Sequence, residues 1–299
     1  MLPSFFIETP CAPTAGVRHR QRWNQVMDTK VFDRLRQIVY DQSGIQLKDG
    51  KMTMVAARIA RRLRALNLAD ELAYVQFLET AATGDEIVHL LDAVSTNVTH
   101  FFRESHHFDR IREVFGQWLD AGQQRFRFWS AASSTGEEPY TLAMTLLDVA
   151  EERGRKPDVK ILATDISTRV LAEAQAGVYP AQRVEPIPAA LRNKYMTRES
   201  TGAGAMFHMA PVLKKMIVFT RMNLSQPPFV MKGPMDVVLC RNVMIYFDQP
   251  VRDALLKEFH RLLRPEGYLM VGHSESLTRS GDIFRREGSS IYRPVNSSR

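Results

Sequence analysis

Cysteine is almost missing from this chain: Cys11 and Cys240 are the only two in 299 residues. They lie far apart in unlike contexts, which excludes a disulfide framework and a cysteine-based zinc site and fits a reducing compartment. Long apolar runs are missing too, so nothing reads as a membrane span of about 18 residues or more. Residues 1–27 carry no basic n-region and no extended apolar segment, and read as a flexible tail rather than a signal peptide. These absences make the cytoplasm the expected location. Neither G-x-G-x-x-G nor G-x-x-x-x-G-K-[ST] occurs, so the dinucleotide fingerprint and the P-loop are both excluded. No internal repeat and no long low-complexity segment is visible. The net charge of +7 permits an acidic partner but identifies none.

What is present is a globular composition, 44% hydrophobic and 24% charged, at a length that suits two domains of about 150 residues. Residues 28–94 read as helices only. Phe32, Leu35, Ile38 and Val39 recur at helical spacing until Ser43-Gly44, and Val55, Ile59, Leu63 and Leu66 mark one face of a second helix from Asp49 to Leu66. DELAYVQFLE and DEIVHLLDAV supply two more. Residues 95–124 form a linker and a connecting helix through Trp118. From residue 125 the period changes: RFRFWS, VKILATD, MIVFTRM, MDVVLC and GYLMVG are strand candidates, several of them separated by the helical stretches TLAMTLLDVAEER, RVLAEAQAG and VRDALLKEFHRLL. Strands alternating with helices imply an α/β domain over residues 125–299, with a mostly parallel sheet covered on both faces. Pro265-Glu266-Gly267 reads as a turn before GYLMVG. The stretch of about 180–222 breaks the alternation and reads as an inserted antiparallel β-subdomain.

In open α/β sheets, ligands bind beyond the carboxyl ends of the strands. After RFRFWS comes AASSTGEEPY, small residues and one glycine before a helix, which allow close backbone approach and present free N–H groups. Asp165 ends the next strand. A carboxylate there suits a ribose diol, unless it caps the following helix, a role Ser167 can fill. Glu138 has two readings. It closes a capping box over Thr135–Glu138, although Pro139 argues for a helix start nearer Glu137; or it faces a cationic ligand group. Asn223-Leu224 follow MIVFTRM, where an amide can both donate to and accept from an adenine edge. Arg241-Asn242 leave an apolar strand, where polar groups need partners, and Tyr246 either packs in the core or lines a cationic site. GHSES is similar to a nucleophile elbow, but Ser276 replaces the required glycine and no HGGG-type motif accompanies it. His106 and His107, adjacent on a helix, point apart and read as surface residues rather than a metal pair.

Taken in order, STNVTHFFRESHHF, WSAASSTGEEPYTLA, ILATDIS, CRNVMIYF and GHSES resemble the CheR family of chemotaxis receptor methyltransferases, from about residue 28 to 294. The resemblance implies an N-terminal all-α domain, a linker and a Rossmann-like S-adenosylmethionine-dependent methyltransferase domain with a small β-subdomain inserted. It also implies methyl transfer from S-adenosylmethionine to glutamate side chains of chemoreceptors, leaving a methyl ester and S-adenosylhomocysteine. Carried over by motif, Asn97, Thr99, Arg103, Glu138, Asp165, Asn223, Leu224, Arg241 and Asn242 contact the cofactor, and Arg103 and Tyr246 flank the reacting methyl. A glutamate carboxylate is already ionised at pH 7, so no general base is needed, and no metal is implied. Some members of the family dock a receptor C-terminal peptide on the β-subdomain, where STGAGAMFHM lies in this chain.

KMTMVAARIARRLRAL is the strongest charge feature. It holds Lys51, Arg58, Arg61, Arg62 and Arg64 and no acid, whereas residues 28–98 together hold 9 Lys/Arg and 10 Asp/Glu. With Val55, Ile59, Leu63 and Leu66 inward, Arg58, Arg61 and Arg64 are expected to project outward and Arg62 to lie at the border. These four arginines either form a solvated face or meet the acidic methylation region of a receptor. Nucleic acid is not expected, because no aromatics interleave with the arginines. A monomer without membrane insertion is the expected state.

Overall fold

The computed structural model describes residues 27–80, 84–202, 204–277 and 281–295. The tail expected over residues 1–27 lies outside them, Met27 apart. Four helices come first: α1 (Thr29–Ser43), α2 (Met52–Leu66), α3 (Glu71–Thr80) and α4 (Gly84–Val94). Asp28 caps α1 by accepting from the N–H groups of Lys30 and Val31, and Gly44, at φ 68°, ends it in the left-handed conformation that lacks a Cβ penalty only for glycine. The apolar stripes meet in a core of Phe32, Leu35, Val55, Ile59, Tyr74 and Leu90. Leu66, expected inward, is only partly buried there.

After α5 (His106–Asp120) comes a seven-stranded sheet. Its order is β6 (Ile217–Arg221), β2 (Asp158–Asp165), β1 (Arg125–Ala131), β7 (Met235–Cys240), β8 (Leu263–Val271), β10 (Ile291–Pro294) and β9 (Phe284–Gly288). The first five are parallel, and β10 pairs antiparallel with β8 on one side and β9 on the other. Helices α6 (Glu137–Glu152), α7 (Thr168–Ala176) and α8 (Gln249–Leu262) pack against it. Alternate strand residues enter opposite cores: Phe126, Phe128, Val237, Leu239 and Met270 in one, and Trp129, Val238, Cys240, Leu269 and Val271 in the other. With both faces covered, the inner strands read as continuous apolar runs.

Three details differ from the sequence reading. Pro265–Gly267 is no turn ahead of a strand: β8 already begins at Leu263, and the register slips between the pairs Met235–Leu263 and Val237–Tyr268, so the three residues form a bulge. The hairpin β9–β10 has no strand signal in the sequence reading. The small antiparallel sheet, of β3 (Val178–Pro180), β4 (Met196–Thr201) and β5 (Gly204–Met209) in the order β3-β5-β4, ends before β6. Because β6 pairs with β2 in the large sheet, the insertion is shorter than 180–222. No helix among the described residues is long and apolar enough to cross a membrane.

The helical domain is fastened to the sheet near the strand tips. The Tyr40 hydroxyl donates to Asp248, Asn223 Nδ2 donates to the Gln42 carbonyl at 2.9 Å, and the Gln46 N–H donates to the Tyr246 carbonyl at 2.9 Å. These bonds make the helical domain one wall of the cleft beyond the strand tips.

Candidate active site

Beyond the carboxyl ends of β1, β2 and β7 lies a cleft of about 1080 Å³, its open mouth included. All ten residues assigned by motif line it: Asn97, Thr99 and Arg103 from the linker, Glu138 from the start of α6, Asp165 from the tip of β2, and Asn223, Leu224, Arg241, Asn242 and Tyr246 from the segments after β6 and β7. Gln46, Lys51 and Met54 of the helical domain line it as well, and no motif points to them. In the sequence Lys51 stands out only as part of a basic helix.

The loop after β1 is shaped by backbone. Ala132 (φ 67°), Ser134 (φ 49°) and Gly136 (φ 95°) all adopt positive φ, which costs a non-glycine residue about 1 kcal/mol or more. At Gly136 a Cβ would stand 2.9 Å from the Ala174 Cβ and 2.8 Å from the Tyr179 hydroxyl, so this one position must be glycine. The loop turns the Ser134 N–H toward Asp165 Oδ2 at 2.9 Å, while Oδ1 accepts from the Ser167 N–H at 3.0 Å. Ser167 itself caps α7 through the Val170 N–H, so Asp165 is not the cap. Its carboxylate keeps unused lone pairs at the cleft wall. Burial pushes its pKa up, against the pull of the backbone N–H groups of Ser167 and Ser134.

Glu138 follows neither reading in full. No side chain caps α6, whose N-cap is Gly136. Instead Glu138 accepts from the Ser130 hydroxyl at 2.7 Å and from Arg241 Nη1 at 2.9 Å. Arg241 also bonds the Arg103 carbonyl and lies 3.3 Å from Glu104 Oε2, with its side chain 2% exposed. Burial raises the pKa of Glu138 although Arg241 and Ser130 oppose it, whereas for Glu104 burial is outweighed by Arg241 together with the His273 N–H and the Asn242 amide, and the pKa is lowered. One guanidinium thus faces two carboxylates, and Asp165 adds a third nearby. Of the charged residues that line the cleft, Glu138 and Asp165 are acidic and Lys51, Arg103 and Arg241 basic, so the wall offers both carboxylates and cations to a ligand.

The other assigned side chains divide between committed and available. The Asn223 amide, expected at an adenine edge, already donates to Gln42 and accepts from the N–H and hydroxyl of Ser225 at 3.1 and 2.9 Å. Arg103 donates to the Val98 carbonyl at 2.8 Å, its only hydrogen bond through the guanidinium among the described residues, so other donors remain for a ligand. Tyr246 is half-buried at the cleft rather than in the core. Asn97 Nδ2 is buried with no partner among the described residues, a donor that a bound molecule would satisfy. With the paired acids, this orphaned amide fits a polar, cationic cofactor.

Two carboxylates outside the motif assignment matter here. Glu104 reaches Asn242 Nδ2 at 3.5 Å and the His273 N–H at 3.3 Å. Glu275 binds the backbone of the Asn242 loop at 2.6 Å. It belongs to GHSES, whose likeness to a nucleophile elbow draws attention to the serine instead. Ser274 is exposed and makes no hydrogen bond to a histidine among the described residues, so the hydrolase reading has no structural support. His107 is not a surface residue. It is fully buried, with its ring centroid 4.1 Å from that of His106, and burial followed by the Arg241 charge pushes its pKa down to about 2. No group of histidines, cysteines and acids among the described residues is arranged to hold a metal.

The basic helix also departs from expectation. Arg58 does not project outward: its Nη1 donates to the carbonyls of Ala93, Val94 and Ser95 at 2.9–3.2 Å, closing the end of α4. Arg62 forms a bidentate pair with the buried Glu86 at 3.0 and 2.5 Å. Only Arg61 and Arg64 of the four are exposed. Helical spacing places the arginines around α2 but carries no information about α4, whose orphan carbonyls and Glu86 draw two of them in.

Known proteins with similar sequences fit this arrangement. Residues 97–293 match the family described as CheR methyltransferase, SAM binding domain, and residues 30–95 match CheR methyltransferase, all-alpha domain. The chain is 37% identical over 264 residues to chemotaxis protein methyltransferase 2 of Pseudomonas aeruginosa, covering 88% of this chain and 92% of the relative. It is 38% identical over 251 residues to the chemotaxis protein methyltransferase of Borreliella burgdorferi, covering 82% and 88%. With the chemotaxis protein methyltransferase of Escherichia coli K12 it shares 37% over 288 residues, covering 95% and 96%.

Proposed function

Because this chain belongs to the CheR methyltransferase family and uses S-adenosylmethionine, we propose that it methylates glutamate side chains of chemoreceptors, forming methyl esters and S-adenosylhomocysteine. The observation that carries this reading is a cleft at the strand tips lined by the carboxylates of Glu138 and Asp165, with available donors at Arg103 and Asn97. When bound, the cofactor supplies an electrophilic methyl group on a sulfonium. Glu138 presents a carboxylate to the cationic end of the ligand, and Asp165 offers acceptors to a ribose. Arg103 presents paired N–H donors suited to a carboxylate. Tyr246 walls the same space, excluding water around the reacting groups. Alignment of this kind lowers a barrier by several kcal/mol without a base. The buried histidine nearby, His107, is held neutral by its burial and by Arg241, and is not asked to move a proton.

For the partner, Arg61 and Arg64 offer cationic heads to an acidic receptor helix, while Arg58 and Arg62 hold α2 in place for them. The outer strand β4 presents an exposed edge on which a receptor C-terminal peptide would add as a further strand. Chemotaxis relatives at 37–38% identity support a receptor substrate over RNA or a small molecule.

Incubation with methyl-labelled cofactor and receptor, followed by mild base, tests the reaction. A carboxyl ester releases volatile labelled methanol. Label that stays on the receptor would assign an N-methyl product, and no transfer at all would leave a non-catalytic cofactor-binding adaptor.

A further inference from the structure

We propose that Glu275 is a positioning residue that sets the loop bearing Asn242 and Tyr246, a role that rests on the methyltransferase reading above. Glu275 lies just past β8, 6% exposed and outside the residues that line the cleft. Its Oε2 accepts from the N–H groups of Asn242 at 2.6 Å and Gly272 at 2.7 Å, and its Oε1 accepts from the Ile245 N–H at 3.3 Å. None of the ion pairs among the described residues involves it. A buried carboxylate without a cation persists only where fixed donors replace its water, and here those donors come from two loops at neighbouring strand tips.

The consequence is geometric. Asn242 is held at φ 59°, a left-handed conformation that asparagine tolerates better than most residues. Ile245 sits in the tight turn Met244–Tyr246, so fixing its N–H fixes the turn that carries Tyr246. Gly272 allows the approach: a Cβ there would stand 2.5 Å from Asn242 Nδ2 and 2.7 Å from Glu275 Oε2. Glu275 thus clamps the loop from the β8 side, as the Gln46 N–H does from the helical domain through the Tyr246 carbonyl.

Two variants test this. Glu275→Gln keeps the volume but turns one acceptor into an NH₂ group facing N–H donors, and Gly272→Ala disturbs the same contact from the other side. In the ligand-free protein, amide exchange at Asn242 and Ile245 should quicken by about tenfold or more in both variants, with Ser134 and Ser167 unchanged. Turnover per folded molecule should fall by about 10²-fold, the scale of a small misplacement of reacting groups. The Kd for S-adenosylhomocysteine should rise by less than about fivefold (under 1 kcal/mol), because only the Asn242 contact is loosened while Asp165 and Glu138 are untouched. A structural residue would instead lower Tm and leave turnover per folded molecule intact; that result, or unchanged exchange in the loop, overturns the role. If the wild-type protein fails to methylate receptor, the function is at fault, and the exchange data still decide whether Glu275 holds the loop.

Discussion

On the cleft floor, Arg241 is 2% exposed and bound to Glu104, Glu138 and the Arg103 carbonyl, whereas Arg61 on the outer face of α2 is exposed. The residue type is the same and its duties are opposite. In the interior a guanidinium is fixed by partners that cannot be satisfied otherwise, so its loss is felt as stability and geometry. At the surface it is screened by salt and adds little to folding, so its loss is felt in association. Helix α2 carries both kinds within two turns, with Arg58 and Arg62 turned to α4 and Arg61 and Arg64 exposed.

The contrast is sharpest at Arg241. Arg241→Ala leaves two largely buried carboxylates, 12% and 11% exposed, without their cation and should cost about 3 kcal/mol of stability, read from the denaturant midpoint. A loss below about 1 kcal/mol would mean that the region tolerates surplus charge and behaves like surface. Next is Arg62→Ala, which strips the buried Glu86 of its bidentate partner and leaves, among the described residues, only the Tyr74 hydroxyl donating to it. About 1–3 kcal/mol should be lost in thermal or chemical unfolding, clearly more than for Arg61→Ala; equal losses would erase the distinction drawn on α2.

Asp165→Asn should weaken S-adenosylhomocysteine binding by about tenfold, or 1.4 kcal/mol, in calorimetry. The pH dependence has a definite sign. Burial raises the folded pKa of Asp165, so it takes up a proton at higher pH than an unfolded aspartate. That proton removes an acceptor and a negative charge from the cleft, and affinity for the cofactor should fall as pH falls through the folded pKa. The same proton relieves a buried charge, so the contribution of this group to fold stability runs the other way: it rises as pH falls and is reduced again above the folded pKa. The Asn variant should flatten the affinity profile. The smallest folding effect is expected for Arg61→Glu, within about 0.5 kcal/mol of wild type, yet receptor methylation should slow and lose part of its salt dependence. Salt-independent, unaltered methylation would remove Arg61 from the docking face.

Much of the architecture is legible in the sequence. The apolar stripes of α1 and α2, the strand runs and the order of strand and helix can be read there because burial on one or both faces imposes its period on the residues. The cleft lining is legible because it sits at strand tips that carry unusual polar residues in recognisable strings. What stays hidden depends on distant chain segments meeting. No local pattern says that Arg58 closes α4, that Arg241 sits between Glu104 and Glu138, or that His107 is buried. Glu138 looks like a cap because T-x-x-E is a local pattern, and a partner 103 positions away overrides it. Pro265–Gly267 looks like a turn because turn chemistry does not reveal a neighbouring strand that absorbs it as a bulge.

The most direct measurement is a crystal structure with S-adenosylhomocysteine bound. The expected result places the ribose hydroxyls on the Asp165 carboxylate, the amino end of the ligand toward Glu138 and the sulfur near Arg103 and Tyr246. A ligand seated elsewhere, or one that leaves Asp165 and Asn97 without new partners, would contradict a donor site built from these strand tips.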